Sequence, residues 1–169
     1  AVAAAGRTEG TALGRRLAGL VLAREARANV PPPAAWGTHG KAWLQSSDAE
    51  VRRLAERLAP CFSDTSVLPG LRAQLADRTR GDAARRHAFE VLARATDPAN
   101  VPLFLDLLSE PAFRARVLGL LGRYDTPEIP RLLMARFETF NPPERAAALQ
   151  TLTSRPAFAN ALLDGVAEN

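Results

Sequence analysis

Three segments in the second half of the chain repeat the same spacing of apolar side chains, and this repeat constrains the fold more than any other feature. The segments are 82–97, 110–125 and 141–155 in the printed numbering. In each segment, apolar side chains recur three or four positions apart, which is the spacing of one helix face. Such a short unit cannot bury its apolar face alone, so it must stack on neighbouring units.

An alignment of the three segments assigns equivalent positions to them. At an offset of 28, Arg114 matches Arg86 and Val117 matches Phe89. At an offset of 32, Ala146 matches Arg114. We therefore interpret the three segments as copies of one helix of a repeating unit.

Other apolar runs with helical spacing, residues 99–110 and 127–140, lie between the three segments. Asp97, Thr126 and Asn141 adjoin the prolines that separate the runs, and such side chains cap the free N–H groups at a helix start. The order helix, turn, helix, turn predicts helical hairpins that stack in series. The short period fits HEAT-like hairpins, so the chain is predicted to be all-α, a right-handed α-solenoid. No segment alternates apolar and polar residues as a β-strand does.

The helical pattern continues upstream, although the repeat is weaker there. Residues 48–58 and 65–78 have helical spacing and are predicted helices. The first of them begins with Ser47 or Asp48 as its cap, and Ser47 with Glu50 has the spacing of a capping box.

The beginning of the chain has a different organisation. Residues 8–29 are a predicted helix, which three consecutive prolines end. Two glycines follow within residues 34–40 and favour a loop. We predict an N-terminal helix with a Pro-rich linker, residues 1–33, attached to a HEAT-like helical repeat domain, residues 34–169.

Several distinctive side chains are predicted to be structural. Trp36 and Trp43 are expected to pack the loop onto the first repeats, since no polar cluster joins them into a ligand platform. Cys61 falls on the apolar stripe of the preceding helix and is expected to be a buried thiol. As the only cysteine, it has no partner for an internal disulfide. Gly119 and Gly122 indicate close packing within a helix.

The basic residues are almost all arginine, and their distribution is uneven. Of 22 basic side chains, only Lys41 is lysine. Residues 1–97 carry 15 basic and 10 acidic side chains, a net of +5, whereas residues 98–169 carry 7 and 8, a net of −1. Abundant arginine is typical of a GC-rich genome and does not by itself indicate phosphate binding. Any anionic partner would favour the first half of the chain.

Six arginines are candidate anion-binding residues. They surround one turn and the following helix start, or the equivalent place one repeat later, and they are Arg78, Arg80, Arg85, Arg86, Arg114 and Arg116. Second helices of HEAT hairpins line a concave surface, where arginines could track a nucleic-acid backbone. Proteins that bind single strands usually add exposed aromatic side chains. None lies beside these arginines, so a solvated face or a protein contact is the favoured interpretation.

Residues suited to catalysis or metal binding are few. His39 and His87 are the only histidines, and a metal site needs three or four converging ligands. The chain has no HExxH, CxxC or CxxCH motif and no phosphate-binding glycine loop. A nucleophilic pair of Cys61 with a histidine is disfavoured, and an enzyme with a site that the sequence does not reveal is left as the third alternative. We predict no catalysis, no metal and no cofactor.

The C-terminal part of the chain resembles a known kind of sequence. Residues 124–168 contain PRLLMARF at 130–137 and PERAAALQTLTSRP at 143–156. This stretch resembles the HEAT-repeat segment of large exported proteins of planctomycetes, verrucomicrobia and their relatives, where it precedes a c-type haem-binding module. The resemblance implies a structural segment that links redox domains, and an exported or periplasmic location. The haem ligands do not carry over, because the chain contains no CxxCH.

The favoured function is a non-catalytic HEAT-like scaffold or protein-interaction domain. Its partners would be another protein or neighbouring domains of a parent chain, since a start at Ala1 without methionine suggests a fragment. No apolar run reaches the roughly 18 residues that cross a bilayer, so no membrane partner is predicted. Nucleic-acid binding through an Arg-rich concave face is the main alternative.

Overall fold

The computed structural model describes residues 12–21 and 32–167, and every regular element in these two ranges is a helix. The prediction of an all-α chain is thereby confirmed for the described residues. The chain divides into two compact units, Ala1–Ala95 and Thr96–Asn169. Within the two described ranges, no helix is both long enough and apolar enough to cross a membrane.

The described part of the first unit contains one single helix and two hairpins. Residues 12–21 form α1. The hairpins consist of α2 (Ala34–Leu44), α3 (Ala49–Leu58), α4 (Leu68–Ala76) and α5 (Asp82–Ala95). A 3₁₀ turn, Pro60–Phe62, lies between the hairpins. α2 packs on α3, α4 packs on α5, and α5 also contacts α3.

The second unit continues the pattern with shorter helices. They are α6 (Val101–Leu107), α7 (Pro111–Leu121), α8 (Glu128–Arg136), α9 (Pro142–Leu152) and α10 (Pro156–Ala167). The 3₁₀ turns Pro98–Asn100 and Phe137–Thr139 precede α6 and follow α8. α6 packs on α7, α7 on α9, and α8 on α10. Some helices two apart in the chain therefore pack directly on each other within this unit.

The predicted loop at residues 34–40 is wrong, because these residues form the start of α2. Trp36 is buried, with its ring 4.9 Å from that of Phe62 and 6.1 Å from that of Trp43. A Cβ on Gly40 would lie 3.0 Å from the Trp36 ring, so glycine lets the indole lie along the helix. Each helical glycine costs about 1 kcal/mol, and burial of an indole outweighs that cost. The predicted packing of both tryptophans is confirmed.

α1 shares a hydrophobic cluster with the helices that follow it. Leu17 and Val21 are buried together with Trp36 and Val51. The remainder of the helix predicted over residues 8–29 lies outside the described residues. The predicted boundary between residues 1–33 and 34–169 therefore stays a prediction.

Side-chain caps begin α3 and α9. Asp48 accepts hydrogen bonds from the backbone N–H groups of Glu50 at 2.9 Å and Val51 at 3.3 Å, so it is the cap, and the predicted capping box from Ser47 is wrong. At α9, the predicted cap Asn141 is confirmed, and it forms a capping box with the third helical residue. These caps satisfy N–H groups that have no partner within their own helices.

Cys61 is exposed, so its predicted burial is wrong. Pro60 has no N–H group to continue the α3 ladder, and the chain tightens there into a 3₁₀ turn. This change of pitch removes Cys61 from the apolar stripe of α3. Phe62, one residue later, packs on Trp36 instead.

The burial pattern corrects the repeat alignment. An offset of 29 matches the buried apolar positions of α5 and α7, namely Ala88 with Val117, Phe89 with Leu118, Val91 with Leu120 and Leu92 with Leu121. An offset of 31 matches α7 and α9, namely Val117 with Ala148, Leu120 with Thr151 and Leu121 with Leu152. The predicted match of Phe89 with Val117 is therefore wrong by one position. Adjacent apolar pairs make neighbouring offsets look alike in sequence.

Gly119 lies within α7 and Gly122 follows its last residue, and the two glycines have different surroundings. A Cβ on Gly122 would lie 3.0 Å from the Ser154 hydroxyl, so close packing is confirmed there. Gly119 is exposed, and a Cβ on it would meet nothing within 4 Å, so close packing is wrong for this residue.

Replacement of Leu120 tests the assigned face of α7. Leu120 is 7% exposed, so we expect Leu120→Ala to lower the free energy of unfolding by about 2–5 kcal/mol. Gly119 directly precedes Leu120 and is exposed, so Gly119→Ala should raise the free energy of unfolding by up to about 1 kcal/mol. Urea denaturation measures both. A loss below about half a kcal/mol for Leu120→Ala would show that the face is misassigned.

Candidate interaction site

Arg85 is a buried residue that closes the α4–α5 hairpin. It is 7% exposed, and its Nε donates a hydrogen bond to the Leu75 carbonyl at 2.9 Å. The Gln74 side-chain amide donates to the Ala84 carbonyl at 2.8 Å beside it. The last carbonyls of a helix have no partner within it, and the helix end carries partial negative charge. Arg85 therefore satisfies one carbonyl and places a cation at the favourable end of α4.

A similar contact recurs at the fourth residue of α7 and of α9, with an accepting carbonyl at the end of the preceding helix in the first case and just after its 3₁₀ turn in the second. In α7, the Arg114 Nε donates to the Leu108 carbonyl at 2.7 Å. In α9, the Arg145 Nε donates to the Phe140 carbonyl at 2.9 Å. Arg85, Arg114 and Arg145 also match one another in the corrected alignment of α5, α7 and α9. We call these three the clamp arginines.

Two clamp arginines also pair with carboxylates. An Nη of Arg114 lies 3.5 Å from the Glu144 carboxylate, which joins α7 to α9. An Nη of Arg145 lies 2.9 Å from the Glu138 carboxylate, and its guanidinium lies 5.6 Å from the Phe137 ring centroid. The planar guanidinium can reach a carbonyl and a carboxylate at once, which a lysine ammonium does less well.

The structure divides the six arginines predicted to bind an anion into two groups. Arg85 and Arg114 are clamp arginines. The others are exposed, and they are Arg78, Arg80, Arg86 and Arg116. Two of these have carboxylate neighbours, with Arg80 3.2 Å from Asp77 and Arg86 3.4 Å from Asp82. The binding role of the six stays a prediction.

Asp77 organises the turn between α4 and α5. The hydroxyl and the backbone N–H of Thr79 donate to its carboxylate at 2.6 and 3.0 Å. These hydrogen bonds, with a smaller contribution from Arg80, hold the pKa of Asp77 below its ordinary value. The carboxylate is therefore ionised at neutral pH, and it offsets part of the positive charge of this turn.

Cys61 and the two histidines, the residues considered for a nucleophilic pair, contact different neighbours. The His87 Nε2 lies 2.7 Å from the Glu56 carboxylate, where it joins α5 to α3. The Cys61 thiol lies 3.5 Å from a carbonyl of α3, and the His39 ring packs on Trp43. In the part of the chain that the structure describes, no group of three or more His, Cys, Asp or Glu side chains could hold a metal ion.

An open apolar groove of about 460 Å³ lies in the second unit, between the end of α8, α9 and α10. We call it the α9–α10 groove. It is lined by Met134, Phe137, Glu138, Leu149, Leu152, Leu162 and Gly165. Glu138 is the only charged residue of this lining, and its side chain is 87% exposed. The groove therefore offers a nonpolar surface with a carboxylate at its rim.

Sequence reasoning missed both the clamp and the groove, although the clamp left a signal. In the sequences DAAR, PAFR and PPER, arginine stands three residues after the first residue of α5, α7 and α9. The incorrect offset hid this coincidence, because it matched Arg114 with Arg86 and Ala146. The groove has no local signal, since it depends on how three helices pack.

Comparison with known proteins gives no relative. No protein-family model, curated protein sequence or solved structure matches this chain. The resemblance of residues 124–168 to exported HEAT-repeat proteins therefore stays a prediction. The function has to be argued from the clamp arginines, the exposed charges and the groove.

Tyr124 is a buried titratable group in the second unit. It is 3% exposed, and its ring centroid lies 6.1 Å from that of Phe104. Burial raises the pKa of Tyr124, and interactions with Asn100 and Arg123 oppose this rise in part. The neutral phenol is therefore the form that the fold favours.

Adjacent arginines of α5 test the clamp. Arg85→Ala should lower the free energy of unfolding by about 1.5–3 kcal/mol, because a buried charge-assisted hydrogen bond is lost. Arg86→Ala removes an exposed pair and should cost less than about 0.5 kcal/mol. Chemical denaturation compares the two variants. Equal effects would show that the Arg85 contact does not stabilise the hairpin.

Titration of Tyr124 tests its burial. Its raised pKa means that the stabilisation is complete below the pKa of the unfolded chain and is lost as the pH rises through the folded pKa. Tyr124 is the only tyrosine, so near-ultraviolet absorbance reports its ionisation directly. The midpoint should be higher in the native protein than in guanidinium chloride. A native midpoint at or below the unfolded one contradicts the prediction, and Tyr124→Phe should remove the signal.

Proposed function

We propose that this protein is a non-catalytic scaffold, a right-handed α-solenoid of HEAT-like hairpins that binds other polypeptides. Three observations support the repeat architecture. Buried positions recur in register along α5, α7 and α9, helices two apart pack on each other, and the clamp contact occurs in three hairpins. The same side-chain chemistry therefore fixes successive hairpins.

The observation that carries the proposed function is the α9–α10 groove. Apolar surface that is exposed in a concave shape favours contact with another chain. The clamp arginines, by contrast, have their guanidinium groups hydrogen-bonded to carbonyls at or after the ends of the preceding helices. The apolar lining of the groove thus supports polypeptide binding, whereas these three cations are held in contacts within the fold.

Nucleic-acid binding is the competing function, because the first half of the chain carries the net charge of +5. Arg85 is buried in the clamp, and Arg80 and Arg86 have carboxylates nearby. These contacts leave fewer cations for a phosphate backbone than the sequence suggested, which favours the scaffold.

A binding experiment separates the two functions. We expect no salt-dependent binding of a labelled DNA duplex or a single-stranded RNA by fluorescence anisotropy at about 50 mM salt. Micromolar binding that weakens steeply with salt would instead support nucleic-acid binding, since each phosphate contact releases counterions. The variant Arg78→Ala/Arg86→Ala should then lose affinity for both probes.

The scaffold proposal also predicts a positive result. Selection of random peptides displayed on phage against the immobilised full chain should enrich defined sequences with affinities of about 1–100 μM. Binding should persist at high salt, because apolar contacts are not screened. Failure to enrich any sequence would contradict the proposed function.

A further inference from the structure

One position of the repeat is buried in two copies and open in the third. In the corrected alignment, Leu149 of α9 is equivalent to Phe89 of α5 and Leu118 of α7. Phe89 is 1% exposed and Leu118 is 0% exposed, whereas Leu149 is 42% exposed. Among the residues that the structure describes, Leu149 is therefore covered far less than its two equivalents.

The second unit shows what covers such a position. α9 packs on α7, and the Thr151 hydroxyl of α9 donates to the Leu118 carbonyl at 2.7 Å. The element that lies against α7 at Leu118 is therefore an α-helix, and its contacts with α7 include the Glu144–Arg114 ion pair as well as the Thr151 hydrogen bond. In a stacked repeat each unit buries its apolar face against a neighbouring unit. The exposed position of α9 is therefore suited to contact another α-helix.

The α9–α10 groove fits such an element. It extends the apolar surface of Leu149 across Leu152 and Leu162, and its volume is about 460 Å³. The Glu138 carboxylate at its rim lies 2.9 Å from an Nη of Arg145, so its charge already has a partner within the chain. The groove therefore offers an incoming helix a mainly apolar surface that includes Leu149.

We propose that the α9–α10 groove docks one amphipathic α-helix of a partner polypeptide, whose apolar face packs on Leu149, Leu152 and Leu162. The proposal rests on the scaffold function and deepens it, because it names the site and the kind of partner. Helix-in-groove recognition uses aliphatic residues at positions i, i+3, i+4 and i+7.

The probe is a cross-linked helical peptide with the sequence of residues 141–155, since α9 itself is the helix that covers Leu118. Cross-linking is needed because a peptide of this length is marginally helical in water. Fluorescence anisotropy with the full chain should give a dissociation constant of about 10–300 μM. A control peptide that carries Asp in place of Ala148 should bind at least about tenfold more weakly, because it places a charge on the packed face.

Two exposed leucines give matched protein variants. Leu149→Asp should weaken the peptide at least about tenfold, because it places a carboxylate in the groove. Leu163→Asp should leave binding within about twofold, since Leu163 is 66% exposed and does not line the groove. Circular dichroism and thermal unfolding should show that both variants fold like the original chain.

Three results would overturn the proposal. The first is no binding up to about 1 mM peptide, and the second is equal affinity for the original chain and Leu149→Asp. The third is a concentration-dependent dimer that Leu149→Asp abolishes, since the occupant is then a second copy. If phage-selected peptides bind equally to the chain and to Leu149→Asp, the groove proposal fails while the scaffold function stands.

Discussion

The hydrogen bond from an arginine back to a carbonyl at or after the end of the preceding helix is the contact on which the hairpins depend. The second-unit helices are short enough to be marginal in isolation, so their stability comes from packing. Arg85 and Arg114 each join their own helix to the end of the one before it, and Arg145 joins α9 to the Phe140 carbonyl, which follows the 3₁₀ turn after α8. A lysine ammonium cannot donate several hydrogen bonds in one plane as a guanidinium does. The arginine-rich composition therefore has a structural reason in addition to the base composition of the genome.

The clamp also explains how one repeat tolerates turns of different length. The accepting carbonyl lies ten residues before Arg85, six before Arg114 and five before Arg145. The contact is kept while the connecting segment changes. The positions that follow each arginine stay in phase with it, and this is why equivalent positions of α5, α7 and α9, with the exception of Leu149, are buried although the spacing between copies varies. Burial of leucine and phenylalanine supplies most of the stabilisation, and the arginine determines which residues are buried together.

Much of the fold was predictable from local chemistry. The helix starts at Asp48 and Asn141 and the courses of α5, α7 and α9 follow from capping residues, prolines and apolar spacing. Residues 34–40 were misassigned because two glycines outweigh one tryptophan in a local pattern, whereas in the structure the Trp36 ring packs along Gly40. Cys61 was misplaced because Pro60 changes the helix pitch. The Pro60 effect is local and already present in the sequence, whereas the packing of Trp36 on Phe62 depends on a tertiary contact.

The difference between sequence and structure matters most for the candidate site. In the sequence, six arginines were grouped by charge and proximity. Whether an arginine is buried in contacts within the fold or faces the solvent depends on the side of the helix on which it lies. Arg85 and Arg86 are neighbours with opposite surroundings, one buried at a helix end and one exposed beside Asp82. The same logic locates the open surface, since Leu149 is 42% exposed at the repeat position where Leu118 is buried. A repeat therefore reveals a candidate binding surface where one copy exposes an apolar side chain that its equivalents bury.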